Sequence, residues 1–271
     1  MPGPRRTLVS LALVAAAAAG GVLGAQWLGS ALRDPVCEFR AADREQTMSP
    51  EQSANASTMS LMSVQRGLPP RAASIAIATA IQESKLQNLT YGDADSLGLF
   101  QQRPSQGWGT EEEILDPVYA SGRFYDALFQ VEDWQNKPIN DVAQTVQRSA
   151  YPEAYADHEW EGRVMASALT GESTAAVGCQ LDDPDSGGDA VALAQELTEL
   201  GVAATADGST VTVQAGDSAW AVAGWATTHA EQRQITRVTT DGRSWKRDDD
   251  PLIWHDDGDV SAGVVQIELS P

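Results

Sequence analysis

Basic residues are scarce in this 271-residue sequence. Lysine and arginine number 18 against 38 aspartate and glutamate residues, so the formal net charge is −20. The imbalance extends along the chain, with 20 acidic and 10 basic residues in 35–180 and 17 and 5 in 181–271. Because no basic stripe exists on which a polyanion could bind, we predict no nucleic-acid partner. The acidity itself indicates only solubility.

Cysteine and histidine are equally scarce. The chain has two cysteines, Cys37 and Cys179, and three histidines, His158, His229 and His255. Because no Cys or His pair is closely spaced along the chain, the sequence offers no zinc motif, and we predict neither a metal nor another cofactor. His158 fits a surface or interhelical position better than a ligand role.

Long apolar runs are absent except near the start of the sequence. One run, at 8–28, follows Arg5 and Arg6 and would extend ~31 Å as a helix, which is enough to cross a bilayer. Because flanking arginines stay in the cytoplasm, we expect the body of the protein outside the membrane. Residues 1–33 are therefore predicted to be a signal peptide or an N-terminal membrane anchor, and the length of the run favours the anchor.

One acidic residue follows an apolar segment in the first half of the chain. The segment contains Ile75, Ile77 and Ile81 and predicts a helix from about Arg71 to Ser84. Since this helix is apolar nearly all round, we expect it in the core, where it carries Glu83 to the inner end of a groove. A carboxyl group beside apolar surface resists ionisation and can donate a proton near neutral pH.

The next segment, 86–109, is rich in Gly, Asp and Asn and predicts an irregular loop or a short β-hairpin. It carries Gln101 and Gln102, whose amides can hydrogen-bond sugar hydroxyls, and Trp108, whose indole offers a flat apolar face. Packing of the loop onto the core is an equally good interpretation of Trp108. Together with the acid that precedes it, this segment has the composition of a carbohydrate site.

Two motifs here resemble those of the lysozyme-like lytic transglycosylase superfamily. Glu83-Ser84 is similar to its Glu-Ser motif, and Ser96-Leu97-Gly98-Leu99-Phe100-Gln101 is similar to its Gly-Leu-Met-Gln motif. Residues 144–152 lie where the family has Ala-Tyr-Asn-Ala-Gly. The likeness covers roughly residues 51–169 and is strongest to exported actinobacterial members of the superfamily.

The resemblance implies a mainly α lysozyme-like domain in which a small irregular or β segment forms one wall of the substrate cleft. It also implies cleavage of peptidoglycan glycan strands, with Glu83 acting first as general acid and then as base. The chain departs from the family pattern at Pro152, where the family has Asn, and at Arg103-Pro104 after the glutamines. These departures point to altered subsites around the cleaved bond.

The resemblance and the composition of the loop together predict the other site residues. Tyr151 matches the family's cleft tyrosine, which would hold the acid or an acetamido group through its hydroxyl; a buried packing role is compatible with this. Asp93 and Asp95 are candidates for a second carboxylate, although Asp beside Gly is also common in turns. The predicted substrate contacts are Ser84, Ser96, Gln101, Gln102, Trp108 and Tyr151.

Two other functions stay open at this point. The first is an envelope protein that binds cell-wall glycan with the same fold but without the chemistry, which Pro152 and Arg103-Pro104 suggest. The second is a transport or metal-handling component of the envelope. The presence of a single spanning segment and the lack of a ligand cluster argue against the second.

The two cysteines bracket the region of resemblance. In an oxidising compartment this placement predicts one disulfide, Cys37 to Cys179, that joins the two ends of the region. Closing so long a loop could contribute about 4 to 5 kcal/mol in the chain-entropy description. Two unrelated buried thiols are the alternative.

Composition divides the remaining chain into further segments. We predict a polar spacer at 34–50, a lysozyme-like domain at 51–180, a linker at 181–190 and a small α+β domain with an antiparallel sheet at 191–271. No family resemblance accompanies the last domain, and its role is not predicted. Its core is expected to contain Trp220, Trp225, Trp245 and Trp254.

Overall fold

The computed structural model describes residues 34–148 and 153–271, which form a mixed α+β fold with antiparallel sheets. The apolar run at 8–28 and the candidate site residue Tyr151 lie outside the described residues. Among the described helices, none combines the length and the apolar character that a bilayer crossing requires.

The chain forms a β-hairpin where a polar spacer was predicted at 34–50. Strands β1 (Val36–Ala41) and β2 (Arg44–Met48) are joined by a two-residue turn, Ala42-Asp43, in which both residues have positive φ. The prediction was wrong because Glu38 and Arg40 make the segment look polar, whereas Cys37 and Phe39, which alternate with them, are fully buried.

Strand β3 (Val177–Gln180) completes this sheet by pairing antiparallel with β1. The register places Cys37 directly opposite Cys179, and the two form a disulfide. The predicted pairing is therefore confirmed. It closes a loop that contains every described helix from Pro50 to Leu169, so the bond restricts the unfolded state strongly.

The helices between β2 and β3 surround one buried helix. This helix, α2, begins with Pro70 in its first turn and ends at Ser84, as predicted, and nearly all its residues are buried. Gly162 allows α6 to approach it closely, since a Cβ there would lie 2.6 Å from the Ser74 carbonyl oxygen. The helices of this part are α1 (Pro50–Gln65), α2 (Pro70–Ser84), α3 (Glu111–Ile114), α4 (Pro117–Phe129), α5 (Ile139–Gln147) and α6 (Glu159–Leu169).

A five-stranded antiparallel sheet with order β4-β5-β8-β6-β7 and three helices form the rest of the described chain. The antiparallel sheet expected after residue 190 is thus present, and Trp225, Trp245 and Trp254 are buried. Trp220 is partly buried and packs edge-on against Trp254. The elements are α7 (Ala190–Glu199), β4 (Ala204–Asp207), β5 (Thr210–Gln214), α8 (Ala219–Thr228), α9 (Ala230–Arg233), β6 (Ile235–Thr240), β7 (Arg243–Lys246) and β8 (Val264–Leu269).

The segment at 181–190 does not separate two bodies, because residues 35–271 form one compact unit. The Trp254 indole donates to the Val177 carbonyl at 2.8 Å, and the Arg40 guanidinium donates to the Leu252 carbonyl at 2.7 Å. Gly178 lies so close to the Leu252 backbone that a Cβ there would approach within 2.6 Å of it. The sheet that carries the disulfide is therefore covered by the C-terminal region.

His229 is buried between α1 and α8, which pack against each other. Its Nδ1 lies 2.8 Å from the Trp225 carbonyl oxygen, and its ring stacks on the Trp225 indole with centroids 4.0 Å apart. The Ser57 and Thr58 hydroxyls lie 3.4 Å from its ring nitrogens. Burial lowers the pKa of His229 to about 3, so the ring is neutral in the folded protein at ordinary pH.

This burial predicts a loss of stability in mild acid. The unfolded side chain, with a pKa of 6.5, binds a proton that the folded side chain excludes down to about pH 3. The free energy of unfolding should therefore fall as pH decreases from 6.5 towards 3, by up to roughly 1.4 kcal/mol per pH unit. Urea unfolding from pH 7 to pH 4 should show a shallower pH dependence for His229→Gln than for the wild type. His255→Gln is the control, and an unchanged pH dependence in His229→Gln would contradict the prediction.

Candidate active site

Glu83 lies in the last turn of α2 and is half-buried. The helix ends abruptly because Lys85 and Leu86 both adopt positive φ, and Leu86 turns back into the core, where it is fully buried. The carboxyl group is thus held at a fixed helix end. The sequence predicted this helix end for Glu83, and the groove that it also predicted there stays a prediction.

The hydroxyl of Tyr155 donates a hydrogen bond of 2.6 Å to Oε1 of Glu83. Tyr155 is fully buried in a 3-10 turn (Ala154–His158) that leads into α6 and packs against α2. Within the described residues this is the one hydrogen bond to the carboxyl group, and it engages Oε1. The arrangement orients the acid without adding a second charge.

Sequence reasoning expected a tyrosine hydroxyl on the acid but assigned that role to Tyr151. Tyr151 lies outside the described residues, and its role stays a prediction. The missed residue, Tyr155, stands four positions later in the chain. The family motif drew attention to the earlier tyrosine instead.

Ser84 and Ser96 were predicted to contact substrate; the structure contradicts the assignment of Ser84, and that of Ser96 stays a prediction. Ser84 is buried, and its hydroxyl lies 3.0 Å from the Ala80 carbonyl oxygen and 2.7 Å from that of Leu99. Ser96 is also buried, and its backbone N–H bonds to the Asp93 carbonyl. Ser84 therefore attaches the end of α2 to the loop beside Glu83.

Gln102 likewise points inward instead of towards a substrate. It is 2% exposed, and its amide donates to the Ala120 carbonyl on α4 at 3.3 Å. The same residue exchanges backbone hydrogen bonds with Leu97, which makes the loop a short hairpin. The predicted sugar contact at Gln102 is wrong because, in a tight hairpin, neighbouring residues face opposite sides.

Gln101 and Trp108 remain at the surface of the loop, each half-buried. The Gln101 amide lies against the carbonyls of Gly98 and Tyr91 at 3.3 and 3.4 Å, and its side chain covers Gly92, where a Cβ would collide with it. Trp108 packs against the edge of the core. Their exposed parts are still available to a ligand, and their substrate contacts stay predictions.

Asp95 accepts hydrogen bonds from two groups of its own loop. The Arg103 guanidinium donates to Oδ1 at 2.7 Å, and the Ser105 backbone N–H donates to Oδ2 at 2.8 Å. These bonds, that of Arg103 above all, hold the pKa of the Asp95 carboxyl well below its usual range. A carboxylate so engaged is a weak base, which favours turn chemistry as its role and gives Arg103 a structural purpose. Asp93 is exposed and stays a candidate.

The loop is fastened from several sides. The Gln147 amide on α5 donates to the Phe100 carbonyl at 2.7 Å, and the Asn88 amide donates to the Leu115 carbonyl at 2.6 Å. Gly98 has positive φ and lies so near the Ile114 carbonyl that a Cβ would approach within 2.6 Å of it. A wall of fixed shape therefore stands beside the acid.

No cluster of three or more His, Cys, Asp or Glu side chains in the described part of the chain is arranged to hold a metal ion. His158 pairs with Glu161 at 2.6 Å, in keeping with a surface role.

A comparison with protein-family models found none that matches this chain, and a comparison with curated proteins found no significant similarity.

The role assigned to Ser84 predicts an effect on the loop. Ser84→Ala leaves the Leu99 carbonyl without its partner and should lower the free energy of unfolding by about 1 to 3 kcal/mol. It should also raise hydrogen exchange at 97–102. Ser60→Ala is a matched control, because Ser60 is equally buried but its hydroxyl donates only within α1. Equal effects of the two substitutions would contradict the prediction.

Proposed function

We propose that the protein is a peptidoglycan-cleaving glycosidase of the cell envelope, with a lysozyme-like helical part and with Glu83 as its acid and base. The observation that carries the proposal is the buried Tyr155 hydroxyl 2.6 Å from one oxygen of a half-buried carboxyl at a helix end. General acid and base catalysis needs such a side chain held in one geometry with a free oxygen towards the reacting atoms.

The proposed reaction needs one carboxyl group in two successive roles. Glu83 first transfers its proton to the glycosidic oxygen between N-acetylmuramic acid and N-acetylglucosamine, and the bond to that oxygen breaks. As a carboxylate it then takes the proton from the muramoyl hydroxyl that attacks the same sugar, which closes an anhydro ring and restores the acid. Donation from Tyr155 stabilises the intermediate carboxylate, since hydrogen bonds to ionised acceptors are the stronger ones.

The carboxylates around the loop favour this lytic route over hydrolysis. Hydrolytic glycosidases ordinarily use a pair of carboxyl groups on either side of the scissile bond. Asp95 has both oxygens engaged by Arg103 and Ser105, which leaves Asp93 as the predicted second carboxylate. A single acid that is reused by an intramolecular nucleophile requires no partner of that kind.

Replacing the acid tests the proposal directly. Glu83→Gln keeps the shape of the side chain but cannot donate the proton, so release of soluble muropeptides from purified sacculi should fall at least about a hundredfold. Glu112→Gln, an exposed acidic residue on α3, is the matched control and should retain activity. A Glu83→Gln variant as active as the wild type would remove Glu83 from the mechanism.

Sedimentation of wild-type protein with sacculi, without released fragments, would instead identify a glycan-binding protein.

The tyrosine hydroxyl has a separate test. Tyr155→Phe keeps the ring and removes the donor to Glu83, so kcat should fall roughly ten- to a hundredfold while KM changes little, because a hydrogen bond to a charged group is lost where charge forms. Tyr125→Phe is the matched control, since Tyr125 is equally buried and its hydroxyl donates to the Met59 carbonyl at 2.9 Å. A loss of kcat that is the same in both variants would contradict the positioning role.

A further inference from the structure

The two edge strands of the five-stranded sheet differ in how they are protected. At one edge, Ser244 of β7 exchanges two backbone hydrogen bonds with His255, of 2.9 and 2.8 Å, so a following segment covers the strand. That strand also carries Arg243 and Lys246. Charged side chains and covering segments are the usual protection of a sheet edge. The other edge, β4, has the sequence Ala-Thr-Ala-Asp, with regular pairing and no Lys or Pro.

The pairing of β4 shows which of its backbone groups face outward. Residues of an antiparallel pair alternate between hydrogen-bonded and non-bonded positions. Because the Gln214 N–H donates to the Ala203 carbonyl, the next bonded residue is Thr205. Ala204 and Ala206 therefore point their N–H and C=O groups away from the sheet. Within the described chain, no hydrogen bond from another segment reaches them.

A groove of about 480 Å³ lies between this edge strand and α7. The small side chains Ala204 and Ala206 leave the space open, and Val191 at its rim is 60% exposed, which is high for a large apolar residue. The residues that line the groove are Val191, Ala194, Gln195, Thr198, Glu199, Ala204 and Ala206. Free backbone groups beside an apolar groove match the way in which an extended peptide adds a strand to a sheet.

The charge of the surface around the groove determines which kind of peptide it attracts. Glu199 is the one charged residue among those that line the groove, and residues 181–271 hold 17 acidic and 5 basic residues. Asp207 of β4 lies on the other face of the sheet, because side chains alternate along a strand and Ala204 and Ala206 line the groove. A second copy of the chain would bring the same acidic surface against itself, at a net charge of −20 per copy. A partner with basic residues is attracted instead.

We propose that β4 and this groove bind an extended segment of another polypeptide in which apolar and basic residues alternate. The backbone of the segment pairs with the outward groups of Ala204 and Ala206. Its apolar side chains lie in the groove against Val191 and Ala194, and its basic side chains lie on the opposite face of the sheet, beside Asp207. The C-terminal region then serves as a module that recruits a protein partner, independently of the chemistry at Glu83.

Fluorescence anisotropy with the full chain tests this proposal. The probe is a fluorescent seven-residue peptide of alternating Lys and Val, which should bind saturably. Its Glu-Val counterpart, and a Lys-Val peptide with two central amides N-methylated, should bind at least roughly tenfold more weakly, because charge attraction in one and one or two backbone hydrogen bonds in the other are lost. Equal binding of the N-methylated peptide would overturn strand addition.

Variants of the chain locate the site. Ala206→Pro removes an outward N–H without removing a ladder donor, and Asp207→Lys reverses the charge on the face that the basic side chains meet; each should weaken Lys-Val binding roughly tenfold or more. Asp248→Lys, an exposed reversal next to the covered edge, is the matched control and should bind normally. Unchanged unfolding curves for each variant show that the fold is kept. Binding that is unaffected by both β4 variants, or a dimer that Ala206→Pro dissociates, would overturn the proposal.

Discussion

The hydrogen bond between Tyr155 and Glu83 depends on how closely α2 and α6 pack. Gly162 lets the two helices approach until a side chain would no longer fit, and the turn that precedes α6 is thereby placed over the end of α2. Because Tyr155 is fully buried, its hydroxyl reaches the half-buried carboxyl from inside the protein. The other features of the candidate site are arranged around this fixed pair.

Around that pair, much of what resembled a ligand-binding surface is scaffold. The Ser84 hydroxyl donates to a carbonyl of the loop, and the Gln102 amide donates to a carbonyl of α4. The Arg103 guanidinium donates to the Asp95 carboxylate. These hydrogen bonds hold the loop in one shape, because an irregular loop lacks the regular backbone hydrogen bonds of a helix or a sheet. A rigid wall beside an oriented acid is a suitable arrangement for a rigid polymer such as a glycan strand.

The sequence was sufficient to predict the helix that carries Glu83, because its apolar residues occur on all sides and Pro70 and Ser84 mark its ends. The disulfide was predictable because the sequence has two cysteines, one on each side of the helical region, and an antiparallel sheet was predicted after residue 190 without all of its strands. The directions of the Ser84 and Gln102 side chains were not predictable, because the path of an irregular loop determines them and no sequence periodicity indicates that path. The β1-β2 hairpin was missed because two buried residues that alternate with two charged ones give a pattern too weak to predict a strand. Tyr155 was missed because two tyrosines four residues apart can be told apart only by tertiary packing.

The most direct measurement of the central claim is the fate of water oxygen during digestion of sacculi in water labelled with heavy oxygen. A single acid that is reused by an intramolecular nucleophile predicts soluble fragments with an anhydro end and no heavy oxygen at the cleaved bond. Fragments that carry heavy oxygen at the new reducing end would contradict the lytic account, and the absence of any released fragment would contradict cleavage itself.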